Sequence, residues 1–166
     1  MRGYLLDNNH IGALFRKDAS VLLKLRSIPV DWQIRVCSVT LGEIEAGHRM
    51  TEPTDHSKRD DYERFVNENF LHHALEISIH TRETYAEIIA RIWEKYPPAN
   101  PKKRTEQHLV DLGVDINDVW AVAVAWEHGL TFVTADKMAC IREVVGDEVQ
   151  FENWLEKPLE PTHRVD

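Results

Sequence analysis

Four acidic residues stand where short apolar runs end or where helices begin. Asp7 closes the run Tyr4-Leu5-Leu6, and Asp136 follows the run Leu130–Thr134. Glu43 comes shortly after Arg35-Val36-Cys37-Ser38-Val39, and Asp118 lies at the start of a long apolar helix that precedes Leu130. Taken singly, each has an ordinary explanation. An aspartate after a strand is usually a turn residue, Glu43 could belong to a capping box opened by Thr40, and Asp118 could favour the helix dipole. Taken together they make a chemical pattern. Carboxylates that converge on one point repel one another, and a divalent cation resolves that repulsion. Oxygen-only ligands favour Mg²⁺ or Mn²⁺ over zinc. A carboxylate-held Mg²⁺ lowers the pKa of bound water and neutralises charge building up on a phosphodiester.

Convergence depends on the elements that carry the four residues. Tyr4–Leu6, Arg35–Val39 and Leu130–Thr134 read as buried strands. Ala74–Ile79 alternates apolar and polar residues and reads as another strand, with a short fifth at Val149–Phe151. Ile11, Leu14, Phe15, Leu22 and Leu25 recur at helical spacing in one or two helices that close before Pro29. A helix follows Thr40, Thr51–Lys58 is a polar loop, and Tyr62, Phe65, Val66 and Phe70 mark a further amphipathic helix. Thr81–Tyr96 is helical and stops at Pro97-Pro98. Pro97–Thr105 is a basic, proline-rich loop, and Ile116–His128 is a nearly continuous apolar helix ended by Gly129. Strands alternate with helices, so the fold class is α/β, with a small parallel sheet of four or five strands flanked by helices on both faces. Ligands of such sheets bind beyond the carboxyl ends of the strands, the edge at which Asp7, Glu43, Asp118 and Asp136 would all sit.

A chain of 166 residues suits one domain, taken as residues 1–157 with a loose tail over 158–166. No apolar run is long enough to span a bilayer, and the first residues carry no cleavable-signal pattern, so the expected location is cytoplasmic and away from membranes. Cys37 and Cys140 lie in apolar runs with no metal-like spacing and read as buried thiols. The formal net charge of −8 runs against a protein that would hold nucleic acid by charge alone. Three resolutions stay open: a substrate that is not a nucleic acid, acidic groups gathered around cations, or a basic partner chain. Lys102-Lys103-Arg104 is the one basic run, read either as a solvated loop or as an RNA-backbone contact leading into the helix of Asp118. Glu45 points away from Glu43. Asp115 and Asn117 read as helix caps, Asn117 being close enough to touch the site. His72-His73 lacks ligand spacing, and Trp120 and Trp126 read as core or interface residues. His10 follows the first acidic segment and could approach a substrate, but it is not assigned to catalysis.

Four segments carry a resemblance. Leu5-Leu6-Asp7-Asn8-Asn9-His10, Ser38-Val39-Thr40-Leu41-Gly42-Glu43-Ile44-Glu45-Ala46-Gly47, Asn117-Asp118-Val119-Trp120-Ala121-Val122-Ala123 and Gly129-Leu130-Thr131-Phe132-Val133-Thr134-Ala135-Asp136 resemble, in order, the signature segments of PIN domains, above all those of VapC-like toxins. The likeness covers about Tyr4–Trp154. It implies an endoribonuclease that uses Mg²⁺, with Mn²⁺ as an alternative, held by Asp7, Glu43, Asp118 and Asp136. It also implies that Thr134 helps order the site. Asn8 occupies a position where the family usually has threonine; it keeps the ability to hydrogen-bond and is assigned with Thr134 to ordering the substrate. The expected partners are RNA, a second copy of the chain, and a small antitoxin whose C-terminal segment lies across the site. The helices near Ile11–Phe15 and Tyr62–Phe70 would offer it apolar faces. The region 51–105 is long for the family. Two rivals are weighed. An aspartyl phosphatase would need a second aspartate where Asn9 stands. A degenerate PIN domain that binds RNA or protein without cutting draws support from Asn8 and is opposed by the complete acidic quartet.

Overall fold

The short apolar runs become strands whose side chains alternate between two cores. β1 (Gly3–Leu6) is buried along its whole length. Tyr4 and Leu6 join one apolar cluster and Leu5 the other. β2 (Gln33–Cys37) and β4 (Thr131–Val133) repeat this, with Val36 and Val133 on the side of Tyr4, and Cys37 and Phe132 on the side of Leu5. A parallel strand covered on both faces has no solvent side, which is why its sequence reads as an unbroken apolar run. Two-residue edge strands, β3 (Ala74–Leu75) and β5 (Phe151–Glu152), complete a parallel sheet of order β3-β2-β1-β4-β5. The computed structural model describes residues 2–50, 56–100, 102 and 104–155.

Helices α1 (Asn8–Phe15), α2 (Ala19–Ser27), α3 (Ser38–Met50) and α4 (His56–Asn69) supply most of the cover over Tyr4 and Leu6. Helices α5 (Ile79–Lys95), α6 (Thr105–Asp111), α7 (Ile116–His128) and α8 (Ala139–Val145) cover the opposite face. In α7, Val119 and Ala121–Ala125 are all buried. The alanines let its backbone sit close to the sheet and to α5. Gly129 ends α7 in the left-handed region at φ 61°, a conformation that costs glycine no Cβ clash. At the other end of the chain, Gly3 lies so near β2 that a Cβ there would meet the Gln33 carbonyl oxygen at 2.3 Å.

The connections build the sheet outward from β1 through β2 to β3, then return to β4 on the far side of β1. The reversal falls between β1 and β4, and the crevice outside the carboxyl ends of strands at such a switch point is where open α/β sheets bind ligands.

Three expectations need correction. The third strand is two residues long rather than six, because Ser78 caps α5: its Oγ accepts from the backbone of His80 and Thr81, and Thr81 Oγ1 accepts from the backbone of Ser78. The apparent alternation through Ile77 and Ile79 therefore belongs to a cap and a first turn, and both isoleucines are exposed. Thr40 does not cap its helix. The chain enters α3 directly from β2 at Ser38, and Thr40 is buried inside the helix with its hydroxyl against Cys37 Sγ. Glu43 is consequently in the second turn, not the first. Finally, α6 separates the basic run from α7, so Lys102 and Arg104 lead into α6 instead of the helix of Asp118. Lys103, most of the expected loop over 51–58 and the expected tail over 158–166 lie outside the described residues.

Candidate active site

Asp7 is the first residue past β1. It is buried, with 6% of its surface exposed, and it caps α1 by accepting the backbone N–H of Asn8 at 2.7 Å. Its other oxygen accepts the hydroxyl of Thr134 at 2.8 Å. Thr134, fully buried one residue past β4, also accepts the backbone N–H of Asp136 at 3.0 Å through the same oxygen. One hydroxyl thus fixes the two aspartates relative to each other across the switch point. Asn9 spans the same gap, with its amide nitrogen 3.3 Å from Asp7 Oδ2 and 3.2 Å from Asp136 Oδ2. Glu43 and Asp118 arrive from α3 and α7. Asn117 Nδ2 donates to Glu43 Oε1 at 2.8 Å, which ties the two helices together beside the acids. Asp115 caps α7 by accepting from the backbone of Asn117, so the cap reading of Asp115 holds.

Asp7, Glu43, Asp118 and Asp136 line one open cleft of about 970 Å³. Their electrostatics show that they share a field. Burial, followed by the charges of Asp7, Asp115, Asp136 and Glu43, pushes Asp118 up to about 7. Glu43 is raised by burial against the lowering effect of its Asn117 bond. Burial also raises Asp7, and the hydrogen bonds from Thr134 and Asn8 only partly oppose it. Asp136 is exposed at the rim.

The donor set is oxygen only, and its mutual repulsion is the kind a divalent cation removes. Among the described residues no three Asp, Glu, His or Cys side chains stand close enough to enclose an ion by themselves. Asn8 lines the cleft and contributes to Asp7 through its backbone N–H, a bond that any residue except proline can make. Its departure from the family's threonine removes nothing from that bond.

Several residues have roles that the sequence did not disclose. Arg16 and Lys58 bring positive charge to the cleft wall, next to Phe15 and Tyr62. They sit far apart in sequence and form no basic run. The faces expected to be open for a partner are largely occupied: Phe15 packs on Tyr62 and Phe65, with ring centroids 5.0 and 5.5 Å apart, and Ile11, Val66 and Phe70 are buried. Phe15 and Tyr62, from the paired helices, also line the cleft. Glu45 is exposed and paired with Arg49, as a solvated residue should be. Cys37 is a buried thiol, whereas Cys140 is only half-buried. Trp120 is half-buried and stacks on Tyr85 at 3.8 Å between centroids. No helix among the described residues is long and apolar enough to cross a membrane.

A doubly covered parallel sheet with carboxylates from four elements at its switch point defines a class of α/β proteins with an acidic edge site. The sequence matches the PIN domain over residues 4–145, and the chain belongs to that family. No curated protein matches it significantly. Among solved structures, it is similar to a chain of VapBC2 from Rickettsia felis bound to a promoter DNA fragment, at 16% identity and TM-score 0.63, covering 93% of this chain and 99% of that one. VapBC from Salmonella typhimurium, also bound to DNA, gives 16% identity and TM-score 0.65, with 93% and 99% covered. VapBC-1 from nontypeable Haemophilus influenzae gives 16% identity and TM-score 0.61, with 94% and 100% covered. At these identities the likeness is one of fold.

Proposed function

We propose that this chain is a metal-dependent endoribonuclease and the toxin member of a toxin–antitoxin pair. The observation that carries the nuclease reading is the gathering of Asp7, Glu43, Asp118 and Asp136 at the switch point, with Asp118 held near 7 by burial and by its acidic neighbours. Asp7, Glu43, Asp118 and Asp136 would hold Mg²⁺ or Mn²⁺, directly or through waters. The ion would supply a more acidic water and positive charge for the phosphodiester transition state. Thr134 keeps Asp7 and Asp136 in register, and Asn117 keeps Glu43 beside Asp118. A carboxylate of the quartet can take the proton of the attacking water. Arg16 and Lys58 on the wall would offer local positive charge to the RNA backbone in a chain whose net charge is −8.

The toxin reading draws on the family and on the company the fold keeps, since the similar structures above are VapBC complexes. The partners would be RNA, a second copy of this chain, and an antitoxin with a basic segment suited to the acidic cleft. The location would be the cytoplasm. Antitoxin-free protein should cut RNA in Mg²⁺ or Mn²⁺ and stop in EDTA. Inducing the chain alone should arrest bacterial growth, and co-expression of an antitoxin encoded next to it should restore growth. RNA cleavage undiminished in EDTA would end the metal mechanism. Harmless expression of an active nuclease would end the toxin role alone.

A further inference from the structure

His10 is an ionisable group beside the cleft with none of its surface exposed, and the mechanism above does not use it. Its two nitrogens have different partners, and the side chain of Asn153 is a further hydrogen-bonding neighbour of the ring. Nε2 lies 3.0 Å from the backbone nitrogen of Trp154. That N–H can only donate, so Nε2 must be the unprotonated nitrogen. The ring proton therefore sits on Nδ1, which is 2.6 Å from Asn9 Oδ1 and donates to it. A second donor, the backbone N–H of Ala135, reaches the same oxygen at 3.3 Å. Two donors on one side fix which end of the Asn9 amide is the carbonyl. Its NH₂ end must then face the carboxylates, where it stands within 3.3 Å of Asp7 Oδ2 and 3.2 Å of Asp136 Oδ2. Every link from the backbone of Trp154 to the two acids runs in one direction.

We propose that His10 is a positioning residue that acts through Asn9: the chain Trp154 N–H, His10, Asn9 orients the carboxylates of Asp7 and Asp136 toward the divalent cation they would share. Reversing the Asn9 amide would set its carbonyl oxygen against two carboxylates and its NH₂ against two donors, and His10 is the closer of those donors. Outer partners of this type orient the groups that meet an ion, and their loss typically weakens metal affinity by about 10- to 100-fold. The packing supports a rigid anchor. The ring of Trp154 makes edge contacts with both Tyr4 and His10, at 5.1 and 6.0 Å between centroids, and its Nε1 donates to Glu152 at 2.7 Å. The inference rests on the proposal that the acidic cleft takes a divalent cation.

Two substitutions separate the halves of the His10 link. His10→Asn can keep an N–H near the Nδ1 position, so it retains the donor to Asn9 and gives up Trp154. His10→Gln can place its carbonyl near the Nε2 position, so it retains the acceptor for Trp154 and gives up Asn9. Mn²⁺ alone is titrated into each full-length protein by calorimetry, and RNA cleavage is measured in parallel. The expected result is Mn²⁺ affinity within about threefold of wild type for His10→Asn and about tenfold weaker for His10→Gln. A residue that merely anchors Trp154 gives the opposite order. That order, or equal affinities in all three proteins, overturns the proposal. If either His10 variant fails to fold, the partly exposed Asn9→Ala decides: about tenfold weaker Mn²⁺ binding supports the link, and unchanged binding overturns it. Wild type that binds Mn²⁺ in this pattern yet leaves RNA intact would end the nuclease reading while leaving the positioning role standing.

Discussion

The two ends of α7 follow opposite rules. From Val119 to Ala125 the helix is packed among apolar neighbours on α5 and the sheet, and Val122–Ala125 are fully buried. One residue earlier, Asp118 sits in the acidic cleft, where burial and four neighbouring carboxylates all push its pKa upward. The body of the helix is stabilised by contacts already made. Its first turn is held in an arrangement that the same residues would not choose by themselves. The contrast teaches that the dry core supplies the stability that keeps a mutually repelling set of carboxylates assembled.

Substitutions at the two ends should therefore have separable consequences. Asp7→Asn and Asp118→Asn should each lower RNA cleavage by about 10³-fold or more, equivalent to roughly 4 kcal/mol of transition-state stabilisation, while the circular dichroism of the folded protein stays unchanged. Cleavage retained in both variants would show that the acidic end is structural. In the core, Ile92→Ala, on the fully buried face of α5, should cost about 2–5 kcal/mol in urea denaturation, with little change in the activity of the molecules that remain folded. An unaltered unfolding midpoint would mean the core carries less than its burial implies.

Ligand and proton binding test the contrast more finely. At roughly a hundred times its Kd, Mg²⁺ should stabilise wild type by about 2.7 kcal/mol, and Asp136→Asn should respond much less. A melting temperature indifferent to Mg²⁺ in both proteins would contradict a cation-completed site. Protons give a further test. The carboxyl of Asp118 is raised from 3.8 to about 7, so the folded protein holds its proton more tightly than the unfolded chain does. In EDTA its contribution is fully favourable below about pH 4 and is lost as pH climbs through about 7. Thermal melts in EDTA should accordingly show Asp118→Asn gaining on wild type between pH 5 and pH 8, and the difference should close when Mg²⁺ is added. A constant difference across that range would mean that Asp118 does not share the field of its neighbours.

Much of this arrangement is legible in the sequence. The unbroken runs around Leu5, Val36 and Phe132 announce buried parallel strands, and the acids at their ends mark the edge where a ligand would sit. The bounds of α7 and its glycine stop follow from local chemistry alone, since the apolar stretch, the Asp115 cap and the left-handed Gly129 all act within a few residues. The errors occur where local pattern competes with tertiary placement. The stretch from Ala74 to Ile79 alternates like a strand, but only Ala74 and Leu75 find a neighbour on β2, and Ser78 turns the remainder into a helix start. Thr40 has the type and spacing of a cap, yet the chain is already helical when it arrives.

The amino-acid sequence by itself determined which groups could do chemistry and which segments had to be buried, because residue type and period are local properties. Only the tertiary structure decided which partners those groups meet. Thr134 reaches Asp7 and Asn9 reaches Asp136 across 127 residues of sequence, Asn117 reaches Glu43 across 74, and Trp154 reaches His10 across 144. Arg16 and Lys58 come to line the same cleft only because α1 and α4 lie side by side. Hydrogen bonds and pKa values depend on distances of a few ångströms between such groups, and those distances are fixed by the return of the chain from β3 to β4 beside β1.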